Sequence, residues 1–161
     1  MKELSIFIFV YLLIPSLALA WSGTVTSVHD GDSITVRRDD TGETAKVRIY
    51  GVDCPELKQP GGEQAQALTA RILLNKTIQV IPAHKAKSYR REVAGIVLLD
   101  DLLVLQDALV SAGLAWVDGR YCKMAVCDLW RLHQREAKAA RRGLWAEPDP
   151  MPPWQWRRKA R

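Results

Sequence analysis

The chain has 161 residues, 48% of them hydrophobic, and a formal net charge of +5 at pH 7. This is enough for one domain with a single core, and the lack of any internal repeat or long low-complexity segment excludes repeat architectures. The positive balance favours a polyanionic partner, either nucleic acid or an anionic surface.

Met1 to Ala20 reads as an export signal. Lys2 opens it, Leu4 to Leu19 is almost wholly apolar, and Ala18-Leu19-Ala20 offers small residues for cleavage before Trp21. A transmembrane anchor is the alternative, but crossing a bilayer takes about 20 apolar residues and this run is shorter. No Cys follows it to carry a lipoprotein anchor. Lys2 and Glu3 cancel, so the net charge belongs to the mature chain. The expected protein is exported, periplasmic or secreted, and meets a membrane only if the signal stays uncleaved.

Gly23 to Arg37 predicts two strands around His29-Asp30-Gly31-Asp32, because Asp-Gly is a turn signal and the period-two pattern resumes at Ile34 and Val36. A second turn, Asp39 to Gly42, leads into a strand through Arg48, completing a meander. Glu63 to Leu74 has helical spacing. Thr77 to Pro82 and Val93 to Leu99 are strand candidates joined by a basic connection, His84 to Arg91. Leu105 to Ala112 reads as a helix capped by Gly113, and Asp128 to Arg142 as a charged helix ended by Gly143. Five strands and three helices, strands first, predict a small α+β domain built on a β barrel. The expected organisation is a signal over 1–20, one domain over 21–147 and a Pro/Trp/Arg-rich tail over 148–161.

Val47 to Glu56, V-R-I-Y-G-V-D-C-P-E, is where chemistry concentrates. It begins as a strand and cannot continue as one, since Gly51 relaxes the backbone and Pro55 removes a donor. On a straight strand Arg48 and Asp53, five apart, face opposite ways; a bend near Gly51 would bring them together. Asp32, Asp53 and Glu56 are hard oxygen donors suited to Ca²⁺ or Mg²⁺, and no His/Cys pair has zinc-ligand spacing. Arg48 and Arg91 supply forked donors that match phosphate oxygens. The plainer reading of Asp30 and Asp32 is as hairpin turn residues.

These residues resemble the staphylococcal nuclease (thermonuclease) family. H-D-G-D-S-I-T-V at 29–36, V-R-I-Y-G-V-D-C-P-E at 47–56, Y-R-R-E-V-A at 89–94, G-L-A-W at 113–116 and A-R-R-G-L-W at 140–145 carry the likeness. It implies a five-stranded oligonucleotide/oligosaccharide-binding (OB-fold) barrel with three helices. It also implies a calcium-dependent hydrolase that cuts DNA and RNA phosphodiesters, with the 5′ oxygen leaving and 3′-phosphate ends remaining. Matched residue by residue, Asp32, Asp53 and the Cys54 carbonyl become calcium ligands and Asp30 an outer acidic residue. Glu56 becomes the general base, and Arg48 and Arg91 neutralise the phosphate. Tyr89 and Tyr121 match tyrosines beside the nucleotide. The chain departs from the family at Lys87-Ser88-Tyr89-Arg90-Arg91, where the usual pattern is Asp-x-Tyr-Gly-Arg, and at Cys54, which stands for Thr.

A non-catalytic nucleic-acid-binding barrel is the competing reading, although degenerate relatives typically lose some of these carboxylates or arginines. Nothing implies a stable protein partner, and a monomer is expected. An exported chain favours a Cys122–Cys127 disulfide over two unrelated thiols, leaving Cys54 free. His29, His84 and His133 read as surface or turn residues. In the tail, Trp154 and Trp156 either stack bases beside Arg157, Arg158 and Lys159 or dock on the barrel; docking is the plainer expectation.

Overall fold

A computed structural model describes residues 20–87, 93–99 and 103–160. β1 (Trp21–Asp30) and β2 (Ser33–Arg38) form the expected hairpin, and β3 (Thr44–Ile49) extends the meander. Short β4 (Val52–Asp53) follows, then helix α1 (Gly62–Leu73), β5 (Thr77–Lys87) and β6 (Val93–Leu99). β5 runs through Lys87, so the strand takes in part of the basic connection.

The strands lie in the order β3-β2-β1-β5-β6, and a parallel pairing of β3 with β6 closes them into a five-stranded barrel. Closure leaves no free edge among these five. β7 (Leu103–Val104) extends β6 and leads into helix α2 (Leu105–Ser111). β8 (Trp116–Val117) pairs with β4 outside the barrel, setting Trp116 opposite Asp53.

Alternation along the strands directs Val25, Ile34, Val36, Val47, Ile49, Val80 and Val97 inward, where they meet Leu73, Leu105 and Leu109 from the helices. Burying each such side chain contributes about 1.5–3 kcal/mol relative to exposure. Helix α3 (Val126–Ala139) buries Cys127, Trp130 and Ala137 on one face and turns its charges outward. Cys122 and Cys127 form the expected disulfide, and Cys54 is free and buried.

Three helices were expected, and the described residues contain four. A single 3-10 turn, Gly143–Ala146, leads into the tail, where Pro153–Lys159 forms helix α4. Its start is readable afterwards, since Pro153 sits where a missing N–H costs no helical hydrogen bond. Trp154 docks edge-on against Trp116, centroids 6.5 Å apart, so docking prevails over free stacking for this residue. Among the described residues no helix is long and apolar enough to cross a membrane. The expected signal segment, apart from Ala20, lies outside the described residues.

Candidate active site

Two turns and a strand meet at one end of the barrel. In the β1–β2 turn the Asp30 carboxylate accepts the Asp32 N–H at 2.9 Å, which holds the turn closed. Ser33 stands opposite Arg48 in the β2–β3 ladder, so Arg48 projects beside Asp32. Its Nη1 donates to Asp32 Oδ1 and, at 3.2 Å, to Ser33 Oγ, while Nη2 donates to Asp53 Oδ1 at 2.8 Å. One guanidinium thus spans both motifs.

The bend at Gly51 makes this possible. Its φ of +78° is unfavourable for other residues, and a Cβ there would fall 2.5 Å from the Cys122 sulfur. Past the bend the Cys54 N–H donates to Asp32 Oδ2 at 2.5 Å, while the Cys54 side chain is buried in the barrel core. A Thr-to-Cys exchange here therefore leaves the main-chain contact with Asp32 available. Glu56 follows on a turn tied to Gln59, whose Oε1 accepts the Glu56 N–H at 3.2 Å and whose N–H donates to the Glu56 carbonyl at 2.8 Å. Gly62 starts α1 directly beneath that carbonyl, where a Cβ would lie 1.9 Å from the oxygen.

The electrostatics are those of a crowded acidic site. Asp32 is 1% exposed, and burial pushes its carboxyl well above the usual range despite the opposing charge of Arg48; Asp30 and Asp53 push it further. Burial works against the charge on Arg48, yet Asp32, Asp53 and Asp30 together hold its guanidinium above the ordinary value. Burial also raises the Cys54 thiol, with Asp32 adding to it, so the thiol stays protonated.

Among the described residues no three acidic, His or Cys side chains form a ready cation cage. The donors that do meet, two carboxylates and a neighbouring main chain without imidazole or thiolate, suit a hard cation.

Asp32, Asp53, Cys54, Asp30, Glu56 and Arg48 are thus brought together. Tyr121 stands apart on the loop after β8, 67% exposed, with the Arg120 guanidinium 5.5 Å from its ring. Tyr89 and Arg91 lie outside the described residues; the β3–β6 register sets Ala94 opposite Arg48.

The residue that the sequence reading did not place here is Arg157 on α4. Its Nη1 donates to Asp53 Oδ1 at 3.1 Å and to Glu56 Oε1 at 2.7 Å, and its Nη2 to Asp53 Oδ2 at 2.8 Å. The hydrogen bond to Asp53 is the main cause of its raised pKa. The only sequence signal was the cationic run behind two tryptophans, and that run does not name its partners.

The family model described as staphylococcal nuclease homologue matches residues 46–147. An uncharacterized endonuclease of Escherichia coli is 33% identical over 145 residues, covering 90% of this chain and 90% of its own. A protein named micrococcal nuclease from Shigella flexneri is 29% identical over 153 residues, 88% of this chain and 85% of its own. A probable staphylococcal-like nuclease of Oryza sativa is 33% identical over 116 residues, 72% of this chain but 30% of its own. Since the family model spans β3 through the 3-10 turn and the bacterial relative is matched along nearly its whole length, this chain belongs to the staphylococcal nuclease homologue family.

Proposed function

We propose that the protein is an exported, calcium-dependent nuclease that hydrolyses DNA and RNA phosphodiesters with little sequence preference and leaves 3′-phosphate ends. The observation that carries this reading is the Arg48 fork joining Asp32 to Asp53, with Glu56 three residues further on the same turn. Membership of a family whose relatives are named endonuclease and micrococcal nuclease supports it.

Asp32, Asp53 and the Cys54 carbonyl would hold the cation, with Asp30 in an outer position. Bound there, a hard divalent ion supplies positive charge to the reacting phosphate. The remaining work falls to the chain. Glu56, with a side chain 38% exposed, is reachable by solvent and takes a proton from the attacking water. The water oxygen bonds to phosphorus, the P–O5′ bond breaks, and O5′ leaves with a proton from solvent. Arg48, with its side chain 29% exposed, and Arg91 neutralise the phosphate as it becomes five-coordinate. Tyr89 and Tyr121 flank the nucleotide.

The test is nicking of supercoiled plasmid and cleavage of single-stranded RNA, with calcium and with chelator, followed by end-group analysis. Calcium-dependent cutting with 3′-phosphate ends is the expected result. Binding without cutting at any calcium concentration would leave a nucleic-acid-binding barrel instead.

A further inference from the structure

The tail closes the site with a cation of its own. Arg157 takes both oxygens of Asp53 and one of Glu56, from 104 and 101 residues further along the chain. These are the oxygens that a divalent ion and an attacking water would need. Asp53 Oδ1 is already shared with Arg48, so Arg157 completes its coordination.

Its delivery is specific. Trp116 stands opposite Asp53 in the β4–β8 pair, and Trp154 seats α4 on Trp116. Arg157 is three residues after Trp154, one helical turn along the same face, and so reaches over Asp53. Gln59, whose Oε1 holds the Glu56 turn, donates its Nε2 to the Met151 carbonyl at 2.6 Å. The turn bearing Glu56 and the segment leading into α4 are thereby tied by one side chain. Pro153, at the start of α4, is buried.

The seat is also thin. α4 has seven residues, of which only Pro153 is fully buried, and so short a helix has little stability apart from its docking contacts. The Arg157 side chain is 40% exposed, so water screens its half of the pair, although the Asp53 carboxylate it grips is only 3% exposed. A divalent ion carries twice the charge and competes for the same oxygens.

We propose that α4 is an autoinhibitory latch: Arg157 occupies Asp53 and Glu56 in the resting enzyme and must be displaced when the cation binds. This rests on the reading of Asp32 and Asp53 as cation ligands. Release frees Asp53 Oδ2 and the Glu56 proton acceptor together and leaves Asp53 Oδ1 with Arg48 alone, so cation level and base availability are coupled through the tail.

Isothermal titration of calcium into the mature full-length chain tests it, comparing wild type with Arg157→Gln and Trp154→Ala. Arg158→Gln, on an exposed neighbour, is the charge control. Loss of the competitor should tighten calcium binding by about three- to tenfold in Arg157→Gln, the range of a partly exposed ion pair. Trp154→Ala, which keeps the charge but removes its seat, should move the same way, and Arg158→Gln should not. Equal or weaker calcium binding by Arg157→Gln, in a protein whose binding is abolished by Asp32→Ala, overturns the latch while leaving the cation site standing. If neither wild type nor Arg157→Gln binds calcium, the cation site and the latch fall together. A raised KM for plasmid in Arg157→Gln with unchanged calcium affinity would make Arg157 a substrate contact and overturn the latch.

Discussion

Two arginines reach Asp53, and they come from different kinds of structure. Arg48 stands on β3, in register with Ser33, inside a closed barrel. Arg157 stands on a seven-residue helix seated by Trp154 on Trp116, with Met151 just before it held by Gln59. The backbone of Arg48 cannot move without opening the β2–β3 ladder, and swinging its side chain away would leave the buried Asp32 carboxyl without its partner. Arg157 can leave when a few side-chain contacts break. The same guanidinium chemistry is therefore a fixed part of the site in one place and a removable cover in the other. The supporting structure, more than the hydrogen-bond geometry, separates them.

The largest expected effect lies at Glu56, which Arg157 contacts. Glu56→Gln keeps a hydrogen-bonding side chain but removes the proton acceptor, so turnover should fall by about 10²–10⁴ with melting temperature nearly unchanged. Single-turnover cleavage at saturating calcium measures it, and undiminished turnover would remove Glu56 from the role of base.

Next comes the fixed arginine. Arg48→Ala leaves Asp32 without its compensating charge at the base of the site, which should cost on the order of 3 kcal/mol of stability in the calcium-free protein. The loss should depend on pH. The folded Asp32 carboxyl is held above its unfolded value of 3.8 by burial, so the native state binds more protons and stability falls as pH rises above that value. Without Arg48 the fall should be steeper, and urea titrations at pH 5 and pH 8 should show the larger penalty at pH 8. A penalty that is larger at pH 5 would contradict the charge argument.

The disulfide lies under the bend that aims Arg48. Closing so short a loop, it should contribute about 2 kcal/mol, the lower end for such bonds. A Cys122→Ser, Cys127→Ser double variant tests this by denaturation, and because Gly51 packs against Cys122, its calcium affinity should also weaken.

The smallest effect belongs to the removable arginine. Arg157→Ala should cost about 1 kcal/mol, because its side chain is 40% exposed and the buried Asp53 keeps Arg48 as a partner. A loss as large as that of Arg48→Ala would mean that the tail is an integral part of the fold, and the contrast between the two arginines would collapse.

Much of the barrel was legible because its signals are local. The Asp-Gly turn, the period-two alternation through Ile34 and Val36, and Gly113 behind α2 each act within a few residues. The extension of β5 to Lys87 was less so, since its partner on β6 and not its own polar composition sustains it. In the site, the carboxylates and Arg48 could be singled out by residue type, and Gly51 signalled the bend that joins them.

By itself the sequence determined the strand order up to β3, the bend at Gly51, the family and the group of acids around Arg48, because each rests on a short motif whose geometry is set by neighbouring residues. Only the tertiary structure decided that the tail ends in a helix over that group. Arg157 meets Asp53 because Trp154 packs on Trp116 and Trp116 pairs across from Asp53, a chain of contacts spanning about two-thirds of the sequence. No period or spacing encodes such a meeting: packing between surfaces far apart in the chain produces it, and those surfaces exist only after the barrel has closed.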